Sequence, residues 1–306
     1  MHGPSRCSNV HARQGVLPRA FIRDRLSVHS EHYLPGELMT IVVIRLHVMD
    51  GLVGTRVERA RAVHDALTDS GPPVSPIRLS EGDGVITLSE PSDAPSAPID
   101  DVLRDRRSRY SYGPLGHPDL SALLRWALGP QRTVRTGDGE ERLLTFHPSA
   151  GGLPSTTAYV VALQTLDEIP VGVYEFDRVH HRLLRRRTGD VRGALAQGLV
   201  QPQFARRAPV VVILVGELDA TLTKYSERHY RTLHVDAGLA AAHLYLIATA
   251  LDLACCAISG FYDNRISEML SLQRSQVPLL AFAVGARCEV DEQRQAGDPH
   301  PPADEG

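Results

Sequence analysis

The stretch KYSERHYRTLHVDAGLAAAHLYLIATALDL, residues 224–253, decides the fold. It opens with ionisable side chains, beginning at Lys224 and Tyr225, and from Ala237 onward it is apolar on nearly every helical face. A helix that is apolar all round is expected to be buried on all sides. The run is shorter than the ~20 uninterrupted apolar residues of a membrane span, which favours a core helix. The pattern therefore predicts reactive side chains directly beside the best-buried element.

The composition narrows the class of protein. The chain has 306 residues, 42% of them hydrophobic, which is enough for one large domain or two ordinary ones. A formal charge of −3 argues against a nucleic-acid or anionic-membrane partner. The N-terminus lacks the apolar core of a secretory signal, and the four cysteines form no CxxC, so a cytoplasmic location is expected. Cys255 and Cys256 are interpreted as small core residues at a buried helix end.

The N-terminal third changes texture along its length. Residues 1–38 are rich in Arg, His, Ser and Pro and are expected to form a disordered tail, with Met39 as an alternative start of translation. Ile41–Val48 is predicted to be a strand and Val53–Leu67 an amphipathic helix. Residues 39–97 would then form a small α/β extension that ends in the linker Pro91–Pro98. This extension either packs on the next domain or binds a leader peptide or partner protein.

The remaining chain, residues 98–288, is expected to form the main domain. Periodicity and β-branched density predict a strand at Val85–Leu88, before this domain, and strands within it at Ala158–Leu163, Val171–Phe176, His181–Arg185, Pro209–Val215 and Pro278–Gly285. Helices are predicted at Ile99–Arg106, Leu120–Leu128 and Val191–Leu199, in addition to the opening stretch. Arg135–Glu141 is predicted to be a polar turn, and residues 289–306 a second disordered tail.

The familiar catalytic motifs are missing. The sequence has no HExxH, P-loop or GxSxG, no GxGxxG after a strand and no cysteine–histidine metal spacing, so no metal site is expected. One remaining feature is the cluster Arg106, Arg107, Ser108 and Arg109, because guanidinium forks match phosphate oxygens bidentately. By itself such a cluster is more often simply a solvated surface.

Two further features suit a planar, anionic ligand. In Ser149-Ala150-Gly151-Gly152, two glycines let backbone N–H groups approach a ligand closely, although an ordinary turn has the same composition. At Lys224-Tyr225, a desolvated lysine would have a lowered pKa and act as a base, with the tyrosine as a proton relay. Each feature is weak alone, and their order along the chain carries more information.

Five segments in this order resemble the nitroreductase superfamily, and more narrowly its SagB/McbC-type branch of azoline dehydrogenases. They are RRSRYSYGPL (106–115), HPDLSALLRWALG (117–129), HPSAGGLPSTTAYVVAL (147–163), VGVYEFDRVHHRLL (171–184), and the opening stretch continued to ISGFYDN (258–264). The resemblance covers about two-thirds of the chain and leaves out the N-terminal residues. One departure is Ala242-His243, where the family often has Gln-Asn.

The resemblance implies an α+β fold in which an antiparallel sheet is flanked by helices in an intertwined homodimer, with FMN in two interface clefts. The FMN-binding domain would be residues 98–288. By motif, the ribityl phosphate would be held by Arg106, Arg107 and Ser108, with Arg109 less central, and completed by Gly285 and Arg287. Pro148, Ser149, Gly151 and Gly152 would lie along the isoalloxazine edge, across the dimer interface. Lys224 and Tyr225 match the Lys-Tyr pair that the branch uses in oxidation.

The implied reaction is the oxidation of a thiazoline or oxazoline in a ribosomally made precursor peptide, with a cyclodehydratase as candidate partner. A base would remove the Cα proton while a hydride leaves the neighbouring Cβ for the flavin. An FMN-dependent NAD(P)H nitro or quinone reductase of the same fold is the alternative, and it needs no Lys-Tyr pair. A flavin-binding subunit without turnover is a third reading.

Overall fold

The computed structural model describes residues 35–68, 71–75, 77–91, 93–137, 139 and 141–288, with residues 35–50 as backbone alone. These residues fall into two compact units that divide between Asp50 and Gly51. The first unit contributes the beginning of helix α1 (Pro35–Leu67), and the second holds every other described element. Residues 1–34 of the predicted tail 1–38, and the whole predicted tail 289–306, lie outside the described residues.

Helices and strands alternate irregularly along the described chain after α1. The strands are β1 (Ser80–Glu81), β2 (Val85–Thr87), β3 (Pro130–Arg135), β4 (Glu141–Thr145), β5 (Thr156–Ala162), β6 (Gly172–Asp177), β7 (Arg182–Thr188), β8 (Val210–Glu217), β9 (Leu253–Ile258) and β10 (Gln276–Ala286). The helices are α2 (Ile99–Asp105), α3 (His117–Leu128), α4 (Val191–Gly198), α5 (Gln203–Arg207), α6 (Leu218–Leu222), α7 (Tyr230–Ala250) and α8 (Asp263–Leu270). Single 3₁₀ turns lie at Ala150–Gly152 and Glu227–His229.

The main sheet has eight strands, paired antiparallel in the order β1-β7-β6-β5-β8-β10-β9, with β2 also pairing with β7. Strands β3 and β4 form a separate hairpin. The central strand β8 pairs with β5 on one side and with β10 on the other, which buries it along almost its whole length. The prediction of a helix-flanked antiparallel sheet is confirmed.

Alternation along the central strands divides the core between the two faces of the sheet. On β8, Val210, Val212 and Leu214 point toward one apolar cluster, whereas Val211, Ile213 and Val215 point toward the other. This follows from the period of two along a strand. The first cluster includes α3 and α7, and the second includes α4, α5 and α8, so the sheet lies between two helical layers.

Helix α7 packs across the first face through Leu233, Ala237, Ala240, Leu244 and Ala248, a spacing of three and four residues that gives one buried stripe. Its opposite side is open in the single chain, where Val235 is 59% and Leu239 38% exposed. The expectation of burial on all sides is therefore wrong for the single chain. Within the described residues, the helical segment Glu227–Ala250 is long and apolar enough, by length and composition alone, to cross a membrane. Of its most apolar 18 residues, 39% are buried inside the protein.

Several local predictions need correction. Ile41–Val48 is not a strand but part of α1, which also includes residues 35–38 of the predicted tail. The β-branched run predicted a strand, but it lies within one continuous helix with the amphipathic segment that follows. Cys255 and Cys256 are buried as predicted, but on β9 rather than at a helix end. The predicted turn Arg135–Glu141 connects β3 to β4, two strands that were not predicted and that pair as a hairpin.

Candidate active site

The glycine turn, residues 149–152, connects the β3–β4 hairpin to β5, a neighbour of the central strand β8. Gly151 and Gly152 have φ angles of 64° and 63°, in the left-handed region that favours glycine. A Cβ on Gly152 would approach Leu144 Cδ2 to 2.6 Å, so the turn also packs too closely on β4 for a side chain there. Two glycines are required here by backbone conformation and by contact.

A buried carboxylate on α7 fixes this turn. Asp236 is 2% exposed, and its oxygens accept the Ala150 N–H at 3.1 and 3.2 Å and the Ser155 hydroxyl at 2.7 Å. A buried charge is tolerated only when hydrogen bonds replace its hydration. Asp236 thereby joins the central helix to the turn at Ala150 and to Ser155, just before β5.

The Lys-Tyr pair lies against the glycine turn. A Cβ built on Gly151 would come 2.5 Å from Tyr225 Oη and 3.2 Å from Lys224 Nζ, so both polar atoms meet at the bare face of this glycine. Lys224 Nζ also lies 5.4 Å from the centre of the Tyr225 ring. The fold thus brings together two features that are more than seventy residues apart in the sequence.

Lys224 and Tyr225 are not at the head of the buried helix. Helix α7 begins at Tyr230, and the pair lies in the connection between α6 and the 3₁₀ turn Glu227–His229. Lys224 is exposed and Tyr225 half-buried in the single chain, so the desolvation expected for the lysine is not found there. Lys224 is nevertheless the only lysine among the 306 residues.

Helix α1 supports the Lys-Tyr segment from behind. Arg56 Nη1 donates to the carbonyl oxygens of Leu222 and Tyr225 at 3.2 and 3.4 Å. Two turns further along the helix, buried His64 Nδ1 lies 3.0 Å from Tyr230 Oη. The part of α1 after Gly51 therefore hydrogen-bonds the segment that carries Lys224 and Tyr225.

Two residues at this site were missed by the sequence analysis. Asp236 could have been found, because a carboxylate inside an apolar helix must have buried partners. His229 stacks on the Tyr225 ring with 4.3 Å between ring centres and 18° between planes. No local signal marked His229, because a histidine in a polar stretch is ordinary.

A second cluster surrounds Tyr245, near the other end of α7. Tyr245 Oη is hydrogen-bonded to Ser108 Oγ at 2.9 Å and accepts the Ala257 N–H at 2.8 Å. The Arg106 guanidinium lies 5.5 Å from the centre of the same ring, within cation–π range. Burial raises the pKa of Tyr245, so the phenol stays protonated at neutral pH. Tyr245 therefore contacts two of the predicted phosphate-binding residues.

The arginines around Asp105 differ in how exposed they are to solvent. Its carboxylate pairs with Arg107 at 2.6 Å, Arg109 at 3.2 Å and Arg287 at 3.1 Å. Partial burial opposes ionisation of Asp105, but the Arg107 hydrogen bond and the three positive charges outweigh it and lower its pKa. Arg109 is only 3% exposed, whereas Arg106 and Arg107 are exposed. The exposed cations are thus the ones available to an external anion.

The last predicted phosphate residues lie at the end of β10. Gly285 is buried within the strand, and a Cβ there would come 2.8 Å from the Gly113 carbonyl oxygen and from Pro209 Cδ. Close packing therefore explains this glycine. Arg287 pairs with Asp252 at 2.7 Å in addition to Asp105, next to the Arg106–Ser108 segment.

The two clusters contact one helix at different heights. Asp236 and Tyr245 are nine residues apart on α7, about 13 Å along its axis. The cluster at Tyr245 offers exposed guanidinium groups and a hydroxyl. The cluster at Asp236 offers a glycine backbone without side chains, an amine and a phenol. This donor set fits an elongated ligand with an anionic end and a planar end.

Comparison with known proteins shows which family this chain resembles. The Nitroreductase family model matches residues 103–286, more than half of the chain. A Methanocaldococcus jannaschii protein with a nitroreductase name is 32% identical over 193 residues, which cover 62% of this chain and 92% of the relative.

Solved structures agree on the fold. One from Anabaena variabilis, also under a nitroreductase name, has a TM-score of 0.56 at 22% identity; the match covers 67% of this chain and 42% of that one. The Escherichia coli microcin synthetase McbBCD complex, with a truncated pro-peptide bound, has a TM-score of 0.52 at 17% identity, covering 76% and 94%. The family-model match over more than half of the chain shows that it belongs to the nitroreductase family of flavoprotein oxidoreductases.

Proposed function

We propose that this protein is an FMN-dependent dehydrogenase that oxidises thiazoline or oxazoline rings to the aromatic azoles in a ribosomally made peptide. The observation that supports this proposal most directly is that Lys224 Nζ and Tyr225 Oη meet at Gly151 of the glycine turn. Lys224 is the only lysine of the chain, and the other residues counted as Lys or Arg are all arginines. An arginine side chain does not release its proton and so cannot act as a base. The one lysine amine of the chain thus lies at this turn.

The residues present fit FMN. Arg106, Arg107 and Ser108 would hold its phosphate, because guanidinium and hydroxyl donors suit phosphate oxygens. Pro148, Ser149, Gly151 and Gly152 would lie along the isoalloxazine, where the turn offers backbone with no side chain in the way. Arg287, through Asp105, would support the phosphate site. When bound, FMN supplies the acceptor for the hydride that leaves the azoline Cβ.

The chain's own residues would orient the ring and move one proton. In the unprotonated form, the Lys224 amine takes the proton from the azoline Cα as the Cα–Cβ double bond forms. Tyr225 Oη, at the same glycine, hydrogen-bonds the ring heteroatom or passes the proton onward. A peptide bound over the turn would exclude water from the exposed Lys224 amine.

The exposed side of α7 supports the proposal of a homodimer. Val235 and Leu239 form an apolar stripe there, and a second copy of the chain would cover it and complete two sites in a homodimer. The McbBCD neighbour supports a peptide substrate and a biosynthetic partner such as a cyclodehydratase, since that complex holds a pro-peptide. A cytoplasmic location is consistent with the free cysteines Cys255 and Cys256.

The 32%-identical relative favours a second candidate, an FMN-dependent NAD(P)H nitro or quinone reductase. A flavin-binding subunit without turnover is the third candidate. These alternatives differ from the first in what they require of Lys224. Nitro reduction needs no base for a Cα proton, and a non-catalytic subunit has no turnover to lose.

The test uses the full chain loaded with FMN, a synthetic thiazoline peptide and, separately, a nitroarene with NADPH. Lys224→Arg keeps the charge without a usable base, and Lys224→Ala removes both. Both variants are expected to lose thiazoline oxidation by about a hundredfold or more while keeping the flavin absorbance. Full thiazoline activity in Lys224→Arg would contradict the base assignment. Nitroarene reduction without thiazoline oxidation in the wild type would favour the second candidate.

A further inference from the structure

His229 is the least explained polar residue near the Lys-Tyr pair. It is 8% exposed, and its imidazole lies nearly parallel to the Tyr225 ring at 4.3 Å between centres. It belongs to the 3₁₀ turn that leads into α7, four residues after Tyr225. Its backbone N–H donates to the Ser226 carbonyl at 2.9 Å, which fixes the turn that carries the ring.

The stacked geometry restricts what His229 can do. A phenolic O–H lies in the plane of its own ring, so Tyr225 cannot donate its proton to an imidazole stacked on its face. Direct proton transfer from Tyr225 to His229 is therefore excluded in this arrangement. What the contact does provide is an aromatic surface against which the phenol lies flat.

The position of Tyr225 Oη is narrowly constrained. It lies so close to Gly151 that a single added methyl group would come within 2.5 Å of it. A rotation of the ring away from the turn would separate Oη from Lys224 Nζ, which meets the same glycine. The imidazole blocks one face of the ring and so limits this rotation.

We propose that His229 is a positioning residue that holds the Tyr225 ring so that Oη stays at the glycine turn beside Lys224. The proposal rests on the proposed azoline oxidation, because it is in that reaction that Tyr225 acts. His229 acts through Tyr225 and touches neither the substrate nor the flavin in this role.

The imidazole nitrogens are not what the role requires. Nε2 of His229 is buried and has no hydrogen-bond partner among the described residues. A buried polar atom without a partner destabilises the fold, and an apolar group of the same shape removes that penalty. Phenylalanine should therefore stack equally well and leave the protein at least as stable.

The experiment compares three variants of the full chain loaded with FMN. His229→Phe keeps an aromatic ring, His229→Leu keeps most of the buried volume without one, and His229→Ala removes both. With a synthetic thiazoline peptide, we expect His229→Phe to retain kcat. We expect His229→Leu and His229→Ala to lower kcat by about ten- to a hundredfold with little change in KM, because a small misplacement of a reacting group has effects of this size.

A second readout needs no turnover. In protein labelled with 3-fluorotyrosine, the ¹⁹F signal of Tyr225 is assigned by its absence in Tyr225→Phe. The stacked ring should shift this signal upfield in the wild type and in His229→Phe, and the shift should be lost in His229→Leu and His229→Ala.

The outcomes separate the hypotheses. Loss of kcat in His229→Phe would overturn the positioning role in favour of a function for the nitrogens, and full kcat in His229→Leu would show that the stack is dispensable. If His229→Ala fails to fold, His229→Leu carries the comparison. If the wild type does not oxidise the thiazoline, the proposed function fails, and the ¹⁹F shift still decides whether His229 orients Tyr225.

Discussion

The two ends of helix α7 bind their surroundings by opposite means. Near its start, the buried carboxylate of Asp236 holds the glycine turn through protein hydrogen bonds, with 2% of its surface exposed. Near its end, Tyr245 contacts Ser108 and the exposed guanidinium of Arg106. We call these regions the turn end and the arginine end.

The difference concerns where charge is placed. At the turn end the charge is internal and already satisfied, so its removal leaves buried donors without partners. At the arginine end the positive charge faces solvent and can be neutralised by an arriving anion. Changes at the turn end should therefore affect folding first, and changes at the arginine end should affect anion binding first.

The largest effect is expected from Asp236→Ala at the turn end. The substitution leaves the Ala150 N–H and the Ser155 hydroxyl unpaired in the core. Hydrogen bonds to charged groups contribute about 1.5–3 kcal/mol each, so losing these two should lower the free energy of unfolding by about 3–6 kcal/mol. Urea unfolding measures this, with exposed Asp101→Ala as the control, expected within about 0.5 kcal/mol of wild type. Equal stability of the two variants would remove the distinction between the ends.

The pH dependence of folding should also come from the turn end. Burial lowers the pKa of His147, which precedes the turn, from 6.5 to about 4. Between these pH values the unfolded chain binds a proton that the folded chain does not, so stability falls as the pH is lowered. The loss reaches about 3 kcal/mol at pH 4 and is absent above pH 6.5. His147→Asn should flatten this slope, and an unchanged slope would show that other groups cause it.

At the arginine end, Arg106→Gln should weaken FMN binding by about ten- to a hundredfold, the range for one charge-assisted phosphate contact. Ser108→Ala should weaken it less. Riboflavin, which lacks the phosphate, should bind all variants alike in a fluorescence titration. The matched control is Arg104→Gln, an exposed arginine paired with Asp100 one turn before. An equal loss of riboflavin and FMN binding would contradict the phosphate assignment.

The smallest effect is expected where α1 supports the Lys-Tyr segment. Arg56→Met removes two hydrogen bonds to backbone oxygens and should lower thiazoline turnover a few-fold, consistent with about 1 kcal/mol. Arg59→Met on the same helix removes an exposed ion pair with Glu227 and should leave turnover unchanged. Equal kcat values in the two variants would show that the support is not specific.

Much of the fold follows from local pattern. The run PVVVILV predicted a buried strand, and Val210–Glu217 is the centre of the sheet. The predicted helix Leu120–Leu128 ends at the same residue as α3, immediately before Gly129. Both signals work because burial and backbone preference act within a few residues.

Predictions failed where neighbours distant in sequence decide the outcome. The polar segment Arg135–Glu141 gave no sign of the β3–β4 hairpin, whose strands are mostly solvent-exposed. The helical start near Lys224 was also misplaced, because the ionisable residues before Tyr230 form a turn held by Arg56 from α1. A contact over 169 positions leaves no trace in local periodicity.

The sequence by itself determined the apolar core helix, which depends on periodicity, and its resemblance to the nitroreductase superfamily implied the helix-flanked antiparallel sheet and the residues of the candidate site. Tertiary structure alone decided that Lys224 and Tyr225 meet Gly151, that Asp236 anchors the turn and that His229 stacks on the phenol. The physical reason is that hydrogen bonds and ring contacts depend on distances of a few ångströms between segments. Those distances are set by how helices pack on the sheet, which no single stretch of sequence encodes.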